Sequence, residues 1–547
     1  MDPSRPEPTV AGRRSDGPGA LAADTGTLAA DTGTLAADTG TLTADDGATT
    51  AETKARLDKA DRLVLTIVCL AQFMVVLDIS IVNVALPSIQ TDLRFSAANL
   101  QWVVTAYSLT FGGLLLLGGR LADLFGRRRI FLLGLILFTG ASLLGGFAGN
   151  QETLIAARSL QGVGAAVLSP ATLTILTVTF TDQHSRAKAL GVWSAVAAGG
   201  GAAGALFGGF LTQYLSWRWI LFVNVPIGVV LFLFARLFLH ESKAEGPRRR
   251  LDVSGSITVT IGLLALVYTI VHTDQVSWTS RSTLLTGAIA VVLLAVFVLI
   301  EARLAHHPLV PLRLFRSRAV TGANLVMFCF GVAMFAMWYF LSLYLQEVLG
   351  YTPVITGLTF LPQTAAIAVG ATIAGRLAPR LGPRNVLVAG AACAALGLYW
   401  LSFIRAGDSY WTGACGGGIL ATFGMGLAFT PIALSATGGV AREEAGLASG
   451  LVNSSRQIGA SLGLAVLSTV AASHIASQLA GRTVVTEEIK HVAMTAGYSR
   501  GFLIASGVAL LGGALAFIIP SQVATAAPAV AEAPVGADGP RVAAIEA

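Results

Sequence analysis

The chain has 547 residues, of which 54% are hydrophobic and only 12% are charged. Soluble globular proteins carry about twice that share of charged residues, so the composition excludes an ordinary soluble domain. The formal net charge of +6 does not indicate nucleic-acid binding, because the basic residues lie in short loops between long apolar segments.

The first 60 residues are polar and repetitive. The heptapeptide Leu21–Thr27 recurs from Leu28 and again from Leu35. One large apolar residue per repeat does not make a coiled-coil seam, so we predict a disordered cytoplasmic tail over residues 1–60. Residues 520–547 are rich in Ala, Val and Pro and are predicted to form a second disordered tail. No signal peptide is expected.

Fourteen apolar segments of membrane-spanning length lie between these tails. They cover residues 63–86, 99–119, 129–149, 153–179, 187–212, 219–239, 254–272, 284–302, 319–346, 354–375, 384–404, 411–436, 446–472 and 500–519. An all-α polytopic membrane protein is therefore predicted, since helices satisfy their own backbone inside a bilayer. Lys and Arg are concentrated in the loops after even-numbered segments, which by the positive-inside rule places both termini in the cytoplasm. We expect a multi-pass protein of the cell (plasma) membrane.

An acidic residue lies inside the first segment, in the stretch Leu77–Pro87. At about 1.5 Å per residue, Asp78 is roughly 22 Å from Leu63, beyond the middle of a hydrocarbon core about 30 Å thick. An acid at this depth costs about 2.5–3.5 kcal/mol on insertion scales, and such residues usually mark ion or proton pathways. Asp78 is therefore a candidate proton-binding residue. The alternative is a structural acid paired to a neighbouring helix.

A basic residue lies inside the fourth segment. Arg158 is little more than a turn from its outer end, in the stretch Arg158–Ala166. Its side chain either extends outward to the membrane surface or turns inward, where it would stabilise the charged form of a nearby carboxylate. Asp78 and Arg158 both fall in the outer half of the membrane, so the sequence allows them to pair.

Two motifs occur twice at nearly the same spacing. The loop Gly119–Arg129 is repeated 256 residues later as Gly375–Asn385. Gly191, Gly200 and Gly204 are matched 259 residues later by Gly450, Gly459 and Gly463. We predict two six-helix bundles, residues 61–240 and 319–519, joined by a linker with two extra transmembrane helices, residues 241–318. Such repeats are typical of transporters that bind their substrate between the halves.

Further candidate residues form three groups. A predicted cytoplasmic gate consists of Gly119, Asp123, Gly126, Arg127 and Arg128, where the acid can pair with the arginines or accept from helix amides. The small residues of the fifth segment form either a pivot or a static packing seam: Gly191, Gly200, Gly204, Gly208 and Gly209. Polar residues inside other segments are candidates for lining a substrate cavity: Asn83, Tyr107, Gln161, Asn324, Tyr344, Gln363, Asn453 and Arg456.

Signatures of enzymes and metal sites are missing from the sequence. The four cysteines lack metal-ligand spacing, so buried free thiols are expected. Gly459–Gly463 matches a hydrolase nucleophile pattern but lies in a helical segment, so we dismiss it. No Gly-Lys dipeptide occurs, which excludes a P-loop. We predict a monomeric protein that is not an enzyme and uses neither cofactor nor metal, with a proton gradient as its energy source.

These residues together resemble the major facilitator superfamily, specifically its fourteen-helix drug:proton antiporter branch. The resemblance spans residues 63–519. It rests on Leu77–Pro87, Gly119–Arg129, Arg158–Ala166, Gly191–Gly209, Trp217–Gly228, Tyr344–Gln346 and Gly350–Pro353. Where the fifth-helix motif of the family has Gly-Pro, this chain has Gly204–Ala205, which keeps the glycine spacing and removes a kink.

The resemblance implies proton-coupled export of hydrophobic small molecules by alternating access. Asp78 would be the coupling acid and Arg158 its tuning partner. Asp123 and the adjacent arginines would latch the cytoplasmic gate against the second half, and the fifth-helix glycines would form an antiport hinge. The alternatives are a symporter that imports a nutrient and a membrane receptor that does not transport. Few acids lie in segments nine to fourteen, which favours neutral, monocationic or amphiphilic anionic substrates over dications.

Overall fold

The computed structural model describes residues 42–243, 252–273, 276–305, 308–438, 440, 444–482 and 484–521. The chain divides into two compact units, Met1–Asp58 and Lys59–Ala547. In the first unit residues 42–58 are helical, and the Ala, Glu, Lys and Arg residues of this segment favour helix. The disordered tail over residues 1–60 stays a prediction. Residues 1–41 and 522–547 lie outside the described residues.

Fourteen helices of the described chain are long and apolar enough to cross a membrane, as predicted. They are α1 Lys59–Leu93, α2 Ala97–Phe125, α3 Arg127–Gly146, α4 Gln151–Thr179, α5 Lys188–Tyr214, α6 Trp219–Phe238, α7 Val253–His272, α8 Arg281–Leu304, α9 Arg318–Val348, α10 Pro353–Leu381, α11 Pro383–Leu401, α12 Tyr410–Thr437, α13 Ala445–Leu479 and α14 Glu487–Ile518. The largest difference is that α14 begins well before residue 500. Its first turns carry Glu487, Glu488 and Lys490, and hydropathy does not reveal a helix that continues beyond the apolar layer.

The loops alternate between two faces of the bundle. We call the face at which α1 begins and α14 ends the proximal face, and the opposite one the distal face. At the distal face, Asp92 accepts hydrogen bonds from Trp217 Nε1 at 2.9 Å and Arg218 Nη1 at 2.7 Å. Gln151 Nε2 donates to the Leu93 carbonyl at 3.1 Å. These bonds join the α1–α2, α3–α4 and α5–α6 loops, so consecutive helices run antiparallel.

The two halves, α1–α6 and α9–α14, repeat one packing arrangement. In the first half, a Cβ at Gly204 of α5 would lie 2.7 Å from Ser80 Cβ of α1. In the second half, a Cβ at Gly463 of α13 would lie 2.6 Å from a side-chain atom of Val332 of α9. Both seams bring backbones into close approach, as small residues allow in membrane helices. The repeated glycine pattern therefore corresponds to a repeated helix pair, α1–α5 and α9–α13.

The extra helices α7 and α8 lie beside the junction of the halves. Val267 of α7 packs in one apolar cluster with Leu109 of α2 and Ala465 of α13. Helix α8 packs mainly on α7, and most of its large apolar side chains are exposed. Helix α7 thus contacts both halves, while α8 presents an apolar surface suited to lipid.

The halves also meet directly at the distal face. Ser342 Oγ of α9 donates to the Asn83 carbonyl of α1 at 2.7 Å, and Gln346 Nε2 donates to the Val84 carbonyl at 2.9 Å. The Val354 amide of α10 donates to Gln213 Oε1 of α5 at 3.1 Å. In this conformation α1 and α5 are therefore held against α9 and α10 at the distal face.

Candidate functional site

The acid of α1 and the arginine of α4 form a buried ion pair. Arg158 Nη1 lies 2.6 Å from Asp78 Oδ2, and the two side chains are 2% and 0% exposed. Of the two orientations that the sequence allowed, the structure shows the inward one. Arg158 Nε donates to the Val103 carbonyl of α2 at 3.0 Å, which fixes the guanidinium in the bundle.

Two amide side chains complete the environment of the carboxylate. Asp78 Oδ1 accepts from Gln161 Nε2 at 3.0 Å and from Asn224 Nδ2 at 2.9 Å. Gln161 Oε1 also accepts from Arg158 Nη1 at 2.8 Å. Ser142 Oγ of α3 accepts from both amides. Asp78 therefore accepts from three N–H donors of α4 and α6, so both of its oxygens are engaged in hydrogen bonds.

The sequence analysis missed Asn224 and Ser142 as members of this site. Asn224 lies in the Trp217–Gly228 stretch, which was noted only for its resemblance. The available signal was a buried-type amide inside an otherwise apolar segment, since polar groups in the membrane interior usually find a partner in the bundle. Ser142 carries a weaker signal, because a serine can satisfy itself on its own helix.

This arrangement is suited to binding and releasing one proton. A proton on Asp78 cancels the charge that pairs with Arg158, and it turns an acceptor oxygen into a donor. The three N–H donors then face a group that can no longer accept from all of them equally well. Protonation therefore weakens the connection of α1 to α4 and α6, which is the property required of a coupling site.

A further neighbour of Arg158 is Tyr107 of α2. The Arg158 guanidinium is 4.5 Å from the centre of its ring, within the range of a cation–π contact. The Tyr107 hydroxyl is buried and forms no hydrogen bond among the described residues. The Tyr107 ring therefore covers one face of the Arg158 guanidinium.

The polar candidates of the second half are distributed over two places. Arg456 donates to Asn453 Oδ1 through Nη2 at 2.8 Å and Nε at 3.2 Å. Asn324 of α9 is next to them, where its Oδ1 accepts from Ser455 Oγ at 2.8 Å. Gln363 is fully buried elsewhere, between α10 and α12, against Gly418. Asn453, Arg456 and Asn324 therefore lie together near the junction, and Gln363 lies inside the second half.

Two predicted cavity residues, Tyr344 and Asn83, lie near the distal helix ends. The buried Tyr344 hydroxyl donates to the Arg405 carbonyl at 2.8 Å, which ties the end of α9 to the α11–α12 loop. Asn83 Nδ2 donates to the Ile79 carbonyl of its own helix at 3.3 Å, and its backbone carbonyl accepts from Ser342. Tyr344 anchors a loop and Asn83 joins the halves in this conformation, and a place for them in the cavity lining stays a prediction. Both lie near the distal helix ends, where polar side chains satisfy loops and helix termini.

The predicted cytoplasmic gate is connected within the first half. Arg127 Nη2 pairs with Asp123 Oδ1 at 3.3 Å, which is one of the two partners predicted for the acid. The Arg127 amide donates to the Ser242 carbonyl at 2.9 Å, and the Arg128 side chain donates to the Arg236 carbonyl. In this conformation these bonds hold the loop to the end of α6, so the expected latch against the second half is not what the described bonds show.

Glu241 occupies the role that was considered for Asp123 at the start of α3. The amides of Arg128 and Arg129 donate to Glu241 Oε1 and Oε2 at 3.2 and 3.3 Å. Gly126 has φ of +109°, and a Cβ there would be 2.4 Å from Glu241 Oε1. Only glycine accommodates both the backbone angle and the carboxylate. Gly119 is not so constrained, because its nearest neighbour is Pro170 Cβ, 3.6 Å from a Cβ placed there.

The glycines of α5 form a packing seam beside the ion pair. A Cβ at Gly200, Gly204 or Gly208 would meet the Phe73, Leu77 or Ile81 carbonyl of α1 at 3.1, 2.8 or 2.7 Å. Gly209 instead faces the Pro353 carbonyl of α10, 2.4 Å from a Cβ placed there. Gly191 has no atom within 4 Å of such a Cβ. The structure supports a seam at four of the five positions, while α5 remains helical throughout.

Alanine substitutions should separate the seam from the open position. Gly204→Ala is expected to destabilise the protein by about 1–3 kcal/mol, because its methyl group must displace α1. Gly191→Ala should be neutral or stabilising by up to about 1 kcal/mol, since alanine favours helix. The midpoint of thermal unfolding of the purified variants measures both. An equal loss in the two variants would contradict the packing assigned to Gly204.

Comparisons with known proteins agree with this architecture. A family model described as Major Facilitator Superfamily matches residues 68–464. The chain is 45% identical to the cephamycin export protein CmcT of Amycolatopsis lactamdurans, over 75% of this chain and 85% of that protein. It is 42% identical to the puromycin resistance protein pur8 of Streptomyces alboniger, over 83% and 90% of the two chains. A solved bacterial homologue of the human lysosomal transporter Spinster, inward-facing and unoccupied, shares the fold with a TM-score of 0.58 and 17% identity, over 84% and 96% of the chains.

Proposed function

Because the chain belongs to the major facilitator superfamily, we propose that it is a proton-coupled antiporter that exports hydrophobic or amphiphilic small molecules by alternating access. Export is supported by relatives named for cephamycin export and puromycin resistance. Coupling is supported above all by the buried Asp78–Arg158 pair. The protein acts as a transporter and not as an enzyme, with the proton gradient as its energy source.

The proposed cycle uses the bonds of the ion pair. With Asp78 ionised, Arg158, Gln161 and Asn224 connect α1 to α4 and α6. Proton uptake from outside loosens that connection and changes the relative stability of the two access states. Release of the proton to the cytoplasm restores it. Substrate is exchanged for the proton in the space between the halves.

The orientation of the protein follows from its charges. The described loops of the proximal face carry most of the basic residues: Arg127, Arg128, Arg129, Arg186, Lys188, Lys243, Arg313, Arg316, Arg380 and Arg384. The distal face carries fewer: Arg94, Arg218, Arg281, Arg405, Arg482 and Lys490. By the positive-inside rule, the proximal face and both termini are cytoplasmic in the cell membrane. The distal contacts between the halves then close the outer side.

Inverted membrane vesicles test this function directly. Respiration acidifies the vesicle interior, and a fluorescent weak base reports the pH difference. Adding puromycin or cefoxitin, a cephamycin, should release protons from the vesicles in proportion to the protein present. Vesicles without the protein are the control.

Two outcomes of this assay would contradict the proposal. Substrate accumulation that persists after a protonophore would show that transport is not driven by protons. Substrate that leaves the vesicle lumen together with protons would instead support the symport alternative. Both outcomes require a radiolabelled substrate measured in the same vesicles.

A further inference from the structure

A second cation lies between the halves, and it has no acidic partner among the described residues. Arg456 of α13 forms hydrogen bonds only to Asn453, and it belongs to none of the ion pairs of the described chain. Its side chain is partly exposed. A charge held at membrane depth is costly unless it meets an opposite charge or water. The partly exposed side chain of Arg456 is therefore open to a counter-charge that a ligand supplies.

The guanidinium has donors available for such a partner. Arginine carries five N–H donors in a planar fork. Asn453 Oδ1 takes one from Nε and one from Nη2, which leaves three, including both on Nη1. A planar carboxylate matches the geometry of this fork and binds it through two parallel hydrogen bonds. The two hydrogen bonds to Asn453 fix the orientation of the guanidinium, so Asn453 is a positioning residue.

Buried polar groups without partners lie on α2 and α13, the two helices that meet at this junction. The Tyr107 and Ser108 hydroxyls of α2, and Ser454 Oγ and both amide atoms of Gln457 on α13, form no hydrogen bond among the described residues. All four side chains are at most 5% exposed. Buried polar groups in native proteins are normally paired, and each unpaired one costs about 1–3 kcal/mol. Their accumulation at the junction of α2 and α13 indicates an occupant that supplies donors and acceptors.

We propose that Arg456, positioned by Asn453 and aided by Tyr107 and Gln457, binds the carboxylate of an amphiphilic organic acid. The inference rests on the proposed function and names the substrate class for it. Organic dications are disfavoured, because Arg456 is itself a cation and pairs with no acid among the described residues.

Binding to the full chain in lipid nanodiscs tests the substrate class. The probes are cefoxitin, which carries one carboxylate, and its methyl ester, which carries none; fluorescein and chloramphenicol serve as an unrelated acid and an unrelated neutral molecule. We expect the acids to bind at least about tenfold more tightly than the neutral probes, the difference that a charge-assisted hydrogen-bond pair gives. Arg456→Gln should remove this preference, and Arg456→Lys should keep part of it.

Matched variants keep the result interpretable. Arg482→Gln removes an exposed arginine from beyond the distal end of α13 and should leave acid binding unchanged. If Arg456→Gln does not yield a folded protein, Tyr107→Phe removes one hydroxyl from the same site and should weaken acid binding by a few-fold. The inference is overturned if the intact protein binds the methyl ester as tightly as cefoxitin, or if it binds neither cefoxitin nor fluorescein. It is also overturned if Arg456→Gln weakens the binding of the acids and of the neutral probes equally.

Failure of this inference is distinguishable from failure of the proposed function. Proton release from inverted vesicles on addition of neutral chloramphenicol depends on Asp78 and not on acid recognition. An intact response to chloramphenicol without any acid preference would leave proton-coupled export standing and remove the assignment of Arg456. Acid-selective binding without proton release would support the assignment of Arg456 and contradict proton-coupled export.

Discussion

Asp78→Asn is expected to reduce proton-driven export to the background of vesicles that lack the protein. Asparagine fills the same space and still accepts a hydrogen bond, but it carries no titratable proton. It mimics the protonated acid permanently, so the cycle loses the step in which the Arg158, Gln161 and Asn224 contacts are restored. Substrate-induced proton release in inverted vesicles measures the effect.

Two comparisons separate lost coupling from lost folding. Exchange of labelled for unlabelled substrate without a gradient needs no net proton movement, so Asp78→Asn should retain it. Glu152→Gln neutralises an exposed acid at the start of α4 and should export normally. Asp78→Glu keeps the carboxyl group and should recover part of the activity. Normal ΔpH-driven export by Asp78→Asn would refute the assignment.

The ion pair was the part of the site that the sequence predicted best. Asp78 and Arg158 are both costly in an apolar segment, and that cost leaves few solutions other than a pair. Gln161 is one turn after Arg158, so helix periodicity already places it beside the arginine. Asn224 is different, because its contact with Asp78 depends on how α6 docks against α1. One sequence carries no signal for that docking.

The predicted gate loop and the glycines of α5 show the same limit of prediction from one sequence. The Asp123–Arg127 pair spans one helical turn and follows from local spacing. The contact of the loop with Glu241 and Ser242 crosses to the end of another helix and was not foreseen. In α5 the glycine pattern predicted close packing, but it did not show that Gly191 faces open space. Local sequence rules predicted the helices and the contacts within one helical turn, whereas contacts between helices depend on tertiary packing.

The two halves share a scaffold but carry different chemistry. The α1–α5 and α9–α13 seams are equivalent, yet the first contains a carboxylate and the second an arginine that has no acidic partner among the described residues. In the first half, every donor around Asp78 is internal. In the second, Arg456 and its neighbours leave donors unused. This asymmetry supports a division in which one half binds the proton and the junction with the other half recognises substrate.

Removal of the arginine from the Asp78–Arg158 pair should produce the largest loss of stability. Arg158→Gln leaves a buried carboxylate without its cation, and breaking a buried pair in this way costs about 3–5 kcal/mol. The midpoint of thermal unfolding should fall accordingly, and export should be lost.

The double variant Asp78→Asn/Arg158→Gln decides whether the pair serves stability or transport. With both charges gone, two neutral amides replace the pair and can bond to each other, to Gln161 and to Asn224. Replacing a buried pair by matched neutral groups is often close to neutral, so we expect the double variant to unfold within about 1 kcal/mol of the intact protein. It should nevertheless show no proton release. A double variant as unstable as Arg158→Gln would mean that the two residues do not act as a pair, whereas recovered folding without transport would show that the charges are retained for proton coupling.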